Sequence, residues 1–207
     1  MKINLPEDLF KRQDESPDEE FYAMPRLVTH IDKHAIDAVT KLYRELLPPD
    51  GVILDLMSSW ISHLPEDVNY QEVIGLGMNE AELKANKRLT SYDIQNLNTH
   101  PILPYEDNQF DGATICVSVD YLIKPVEVIQ EVGRVLKKDA PLIITFSNRC
   151  FPTKVIAIWL QLKDRERVAL VKQFMELAEC FDPIHTLNRS PKRGRDPLYA
   201  VVGIKNQ

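Results

Sequence analysis

Residues 51–60 read GVILDLMSSW: a short apolar run carrying one carboxylate, followed by a polar turn. Such a run fits a strand buried on both faces, because a half-exposed strand would alternate apolar with polar residues. Four more runs of similar length follow, at Glu72–Leu76, Leu89–Ile94, Gly112–Val119 and Ala140–Phe146. Between them lie helical patterns at Asn79–Lys87 and at Pro125–Leu136, the second with Val126, Ile129, Val132, Val135 and Leu136 on one face. Upstream, Thr29–Leu47 repeats its apolar residues every three or four positions until Pro48 and Pro49 stop it. Apolar strands alternating with helices predict an α/β domain whose mostly parallel sheet is covered on both faces.

The C-terminal third departs from this alternation. A helix is predicted over Lys163–Glu179, followed by strands at Phe181–Leu187 and Leu198–Ile204. Only the Pro- and Gly-containing segment Ser190–Pro197 separates those two strands, which suits an antiparallel hairpin. At the other end, the first 20 or so residues mix charge with Pro6 and Pro17 and read as a loose arm able to fold over a site. The expected division is an arm or lid over residues 1–28 and one domain over 29–207, and no internal repeat interrupts it.

Composition narrows the function. With 207 residues, 44% of them hydrophobic, the chain supports one well-buried core. Its 25 basic and 31 acidic residues give a formal net charge of −6, so no broad cationic surface is available for nucleic acid. The cluster Lys192, Arg193 and Arg195 surrounds Gly194 and reads as an exposed turn. No apolar run reaches the ~18 residues of a membrane span, and the N-terminus has no signal-peptide core, so a cytoplasmic protein is expected. Cys116, Cys150 and Cys180 form no CxxC pair and predict reduced thiols, with neither a disulfide framework nor a metal site.

Ligands of open parallel sheets bind beyond the carboxyl ends of the strands, so those loops hold the candidate residues. After the first strand, Asp55 can accept from a cationic amine or cap the following turn, and Ser58 and Ser59 offer hydroxyls. After the second, Gly77 stands where a carboxylate would hold ribose hydroxyls; Asn79 or Glu80 can substitute, or Asn79 can cap the next helix in a box with Glu82. After the third, Asp93 is placed to accept from an exocyclic amine such as that of adenine, and the acidic turn Glu106–Asn108 reads as solvated. The fourth strand ends in Val117-Ser118-Val119-Asp120-Tyr121, where Asp120 or Tyr121 can serve as general base or merely complete a strand end. His63 is a further candidate base, though a lone histidine near a helix start also serves structure.

Taken together, these stretches resemble the class I S-adenosylmethionine-dependent methyltransferases, and most closely the group called methyltransferase type 11. VILDLMSSW stands at that family's strand-one glycine loop, VIGLGMNEAEL at its second strand, and YDIQNLN with LPYEDNQFDGATICVSVDYL at its third and fourth. EVGRVLKKDAPLIITFSN and DPLYAVVGIK complete the pattern, so the resemblance spans roughly residues 20 to 205. It implies a Rossmann-like fold with a seven-stranded sheet, S-adenosylmethionine as cofactor, and methyl transfer to a small-molecule acceptor. Under it, Asp55 contacts the methionyl amine and Met57, Ser58 and Ser59 line the methionyl carboxylate. Asn79 stands in at the ribose, Asp93 and Ile94 flank the adenine, and Gly77, Met78 and Ser118 complete the cofactor set. The acceptor pocket is expected between Phe21, Tyr22, Met24, Pro25 and Arg26 of the arm and the Asn148–Trp159 segment.

Two departures from that pattern matter. Met57, Ser59 and Ile61 replace all the loop glycines, and the ribose carboxylate is missing. They keep alive a second reading, a non-catalytic scaffold of the same fold that acts through protein contacts. A nicotinamide-dependent dehydrogenase fits poorly, since the chain has seven glycines and no GxGxxG after strand one. Oligomeric state and pathway are left open by the sequence.

Overall fold

The computed structural model describes residues 6–206. Seven strands form one sheet in the order β3-β2-β1-β4-β5-β7-β6. They are β1 (Val52–Leu56), β2 (Glu72–Gly77), β3 (Ser91–Ile94), β4 (Gly112–Cys116), β5 (Pro141–Phe146), β6 (Phe181–Asn188) and β7 (Tyr199–Lys205). The first five run parallel, and β7 enters antiparallel between β5 and β6. The predicted strands and the terminal hairpin are all present, with ends shifted by a few residues. The helices are α1 (Asp18–Phe21), α2 (Lys33–Leu46), α3 (Glu80–Ala85), α4 (Pro125–Val135), α5 (Ala157–Gln161) and α6 (Asp164–Ala178). Among the described residues no helix is long and apolar enough to cross a membrane.

Alternation along the strands builds two cores. Leu54 and Leu56 of β1 with Leu142 and Ile144 of β5 face one layer, which α4 fills with Val128, Ile129 and Val132 and α6 with Val171, Phe174 and Met175. Ile53 and Ile143, on the opposite face, meet Ala35, Val39, Leu42 and Tyr43 of α2. Full burial of each such side chain is worth about 1.5–3 kcal/mol, so the layers hold the strand ends in fixed register. That register sets Leu56 beside Leu76 and Ile115, bringing the loops after β1, β2 and β4 to one edge.

Two stretches depart from the sequence expectation. Glu106–Asn108 is not simply solvated, because Arg134 of α4 donates to the Leu103 and Tyr105 carbonyls and to Asp107 while also binding Glu131. The arm is not loose either. Arg12 donates to Asp18 at 2.6 Å, and both side chains are almost wholly buried. Lys154, fully buried, donates to the Ser16 carbonyl at 2.6 Å and lies 3.4 Å from both Asp14 and Asp18. Asn98 donates to Asp18 and, in the other direction, accepts from the Ile123 amide. Charges that read as a solvated tail are therefore paired with residues far along the chain.

Candidate cofactor and acceptor site

A cavity of about 290 Å³ opens at the carboxyl edge of the sheet. Its inner wall comes from the loops after β1 (Met57–Ser59), β2 (Leu76–Asn79) and β4 (Cys116–Ser118), with residues 95–98 beyond β3. Its outer wall comes from the arm, through Arg12, Asp18, Tyr22, Arg26 and His30, and from Arg149, Cys150 and Phe151 after β5. This is the place a doubly wound sheet reserves for ligands, and the mixture of apolar and polar lining suits a nucleotide-sized organic molecule.

The inner wall explains both sequence departures. Met57 adopts φ 57° and Val117 φ 45°, left-handed conformations that ordinarily favour glycine and that L-residues tolerate only when held by their surroundings. An added Cβ at Gly77 would overlap the Ser58 carbonyl oxygen, so the end of β2 cannot carry a carboxylate while this loop packs against it. Ser58 is fixed there by its amide, which donates to the Leu76 carbonyl at 2.8 Å.

Asp55 does not line the cavity. It is buried, and its carboxylate accepts from Ser58 Oγ (2.6 Å), Ser62 Oγ (2.6 Å) and Thr114 Oγ1 (3.1 Å). Burial pushes its pKa up, opposed by those three hydroxyls. Asn86 extends the network, donating to Ser62 Oγ and to the Ser59 carbonyl. Asn79 lines the cavity but spends its side chain elsewhere: Oδ1 caps α3 by accepting from the Glu82 amide, and Nδ2 donates to the Tyr22 carbonyl. Glu82 also lines the cavity, accepting from the Arg26 amide and from Ser59 Oγ, each at 2.6 Å.

The other expected positions divide. Met57, Ser58, Ser59, Gly77, Met78, Ser118 and Tyr121 all line the cavity. Asp93 and Ile94 do not; Asp93 is exposed and accepts from Tyr105 Oη at 3.0 Å, and Gln95 and Asn96 take the adjoining wall. Asp120 lies behind the wall, buried, with Oδ2 unpartnered, and burial pushes its pKa up to about 7. Tyr121 Oη accepts from the Phe151 amide at 2.8 Å, and burial holds its pKa far above the ordinary phenol value. His63 is off the cavity, its Nδ1 buried without a partner and its pKa pushed down to about 4 by burial.

Several cavity residues were not marked as site candidates in the sequence, among them Glu82, Arg12 and His30. Glu82 was read only as a capping partner, Arg12 only as arm charge, and His30 not at all. His30 packs edge-on against Phe151 with ring centroids 5.2 Å apart, and burial lowers its pKa. Its position four residues beyond Arg26, just past the arm residues expected to wall the acceptor, was the available signal.

Residues 57–144 match the methyltransferase domain family, a stretch running from the β1 loop into β5. No curated protein matches the chain in sequence. Among solved structures, the [4+2]-cyclase SpnF superposes with a TM-score of 0.64 at 14% identity, covering 91% of each chain. A candidate S-adenosylmethionine-dependent methyltransferase from Listeria monocytogenes gives 0.59 at 13%, covering 83% of this chain and 99% of that one. Phosphoethanolamine N-methyltransferase 2 from Haemonchus contortus, solved with S-adenosyl-L-methionine, gives 0.59 at 13% over 83% of this chain and 52% of its own. Sheet order and superpositions together show the Rossmann-like fold that these methyltransferases share, with the family match confined to residues 57–144.

Proposed function

We propose that the chain is an S-adenosylmethionine-dependent methyltransferase acting on a small-molecule acceptor. The observation that carries this reading is the cavity at the ends of β1, β2 and β4, whose wall includes a buried Ser118 hydroxyl with no partner. A buried orphan of this kind is a vacancy for a ligand atom, because leaving it unmade costs about 1–3 kcal/mol. The donor set fits the cofactor. Met57, Leu76, Met78 and Leu97 supply apolar walls, Ser118 a free hydroxyl, Ser58 and Ser59 hydroxyl oxygens able to accept, and Glu82 the carboxylate that Gly77 cannot bear.

When bound, S-adenosylmethionine supplies the electrophilic methyl group, so the protein's own work is alignment and exclusion of water. The arm performs the exclusion: its buried Arg12–Asp18–Lys154 cluster seals one side of the cavity. Asp55 acts by bracing the serine turn from behind. His30, on the wall and with its pKa lowered by partial desolvation, is the group able to take a proton from an acceptor, in place of Asp120, Tyr121 or His63.

Calorimetric titration with S-adenosylmethionine and S-adenosylhomocysteine tests the reading. Ligand at 100 times its dissociation constant should stabilise the fold by about 2.7 kcal/mol in a melting curve. Loss of that binding in Glu82→Gln and Ser118→Ala, with Asp55→Asn unaffected, is the expected pattern. One observation favours the scaffold reading instead: the β1 carboxylate is consumed by three hydroxyls. Absence of binding at millimolar ligand selects it.

A further inference from the structure

Three cations, Arg12, Lys154 and Arg26, gather at the outer wall, and they are not partnered alike. Arg12 and Lys154 share Asp18, and Asp14 adds a second, partly exposed carboxylate. Arg26 is different: among the described residues no carboxylate lies within ion-pair distance of its guanidinium, which is instead set 4.4 Å from the Phe21 ring and 5.3 Å from that of Phe151. Nη2 donates to the Phe21 carbonyl at 2.8 Å, whereas Nη1 is buried with no partner. Nε of Arg12 also makes no hydrogen bond, but it lies 3.9 Å from the Glu15 carboxylate. Both arginines line the cavity.

Aromatic faces stabilise a guanidinium but do not satisfy its N–H groups, which lie in the plane of the fork and need an acceptor. A half-buried cation without a counterion is costly, and Arg26 belongs to the cavity wall. We propose that this end of the cavity is an anion subsite: the ligand it takes carries a carboxylate or phosphate that Arg26 holds, with an apolar or aromatic body against Tyr22 and Phe151. This names the substrate class of the site proposed above and rests on that reading only for what the anion is attached to. The anionic group belongs either to the acceptor or to the amino-acid end of the cofactor.

The test uses the full chain, saturated with S-adenosylhomocysteine, and compares phenyl phosphate with neutral phenol by calorimetry. Phenyl phosphate should bind at least tenfold more tightly, and Arg26→Gln should remove about ten- to a hundredfold of its affinity, the range expected for a charged hydrogen bond. If Arg26→Gln instead weakens S-adenosylhomocysteine and spares 5′-methylthioadenosine, which lacks the amino-acid end, the anion is the cofactor's and the subsite stands. Should Arg26→Gln fail to fold, Arg26→Lys keeps the charge but loses the planar fork, and an intermediate loss of phenyl phosphate affinity is expected. Equal binding of both probes, combined with unchanged S-adenosylhomocysteine affinity in the Arg26 variants, overturns the proposal. Failure of S-adenosylhomocysteine to bind, with phenyl phosphate still held through Arg26, would refute the cofactor reading and leave the anion subsite intact.

Discussion

The serine turn after β1 and the arm that closes the cavity are both crowded with polar side chains, yet they dispose of them in opposite ways. Behind the turn the carboxylate is met internally, Asp55 taking three hydroxyls. On the arm and the adjoining β4 end, Arg12 Nε, Arg26 Nη1 and Ser118 Oγ are left over. The turn holds a shape. The outer wall presents donors, and the difference separates residues that brace a site from residues that meet a ligand.

The harshest way to break this comparison is at Asp18, the carboxylate serving both Arg12 and Lys154. Asp18→Asn should cost about 3–5 kcal/mol in urea unfolding, since two buried cations lose their partner, and should expose residues 6–28 to limited proteolysis. Asp120 comes next. Its carboxyl is neutral in the fold up to about pH 7, whereas an unfolded aspartate ionises near 4, so the folded chain holds the extra proton between those values. Stability is therefore fully present below pH 4 and falls as pH rises through 7, by up to about 4 kcal/mol. Asp120→Asn should flatten that slope and raise the melting temperature at pH 8, and an unchanged pH profile would contradict it.

Smaller effects sharpen the contrast. Asp55→Asn should lose about 1–3 kcal/mol of stability while leaving S-adenosylhomocysteine affinity alone, because it disturbs a satisfied network behind the wall. Ser118→Ala should do the reverse, raising the stability of the ligand-free chain by about 1–3 kcal/mol as the unmet hydroxyl is removed and weakening the ligand two- to tenfold. Paired melting and titration of the two variants would show whether brace and contact are truly separable.

Most of the fold was legible because it rests on local regularities: apolar runs, helical spacing in Pro125–Leu136, and the proline stops at 48 and 49. The short helices α1 and α5 were not, since four or five residues carry too little periodicity to read. The site was legible as a set of loops but not in the aim of its side chains. Asp55 and Asn79 looked available because their partners, Thr114 and the Tyr22 carbonyl, lie 59 and 57 positions away. The arm misled for the same reason, its charges being cancelled by Lys154 and Asn98.

The Lys154 anchor also imposes an order of events. It grips Ser16 across 138 positions, so the segment that closes the cavity leaves the ribosome first and its fastening leaves much later. Strands β1 to β4 can associate while the nascent arm is still unfastened, and their packing does not wait for it. The cavity thus acquires its arm-side wall only after the segment following β5 has been synthesised, so the wall is fastened later than the strands it covers are made.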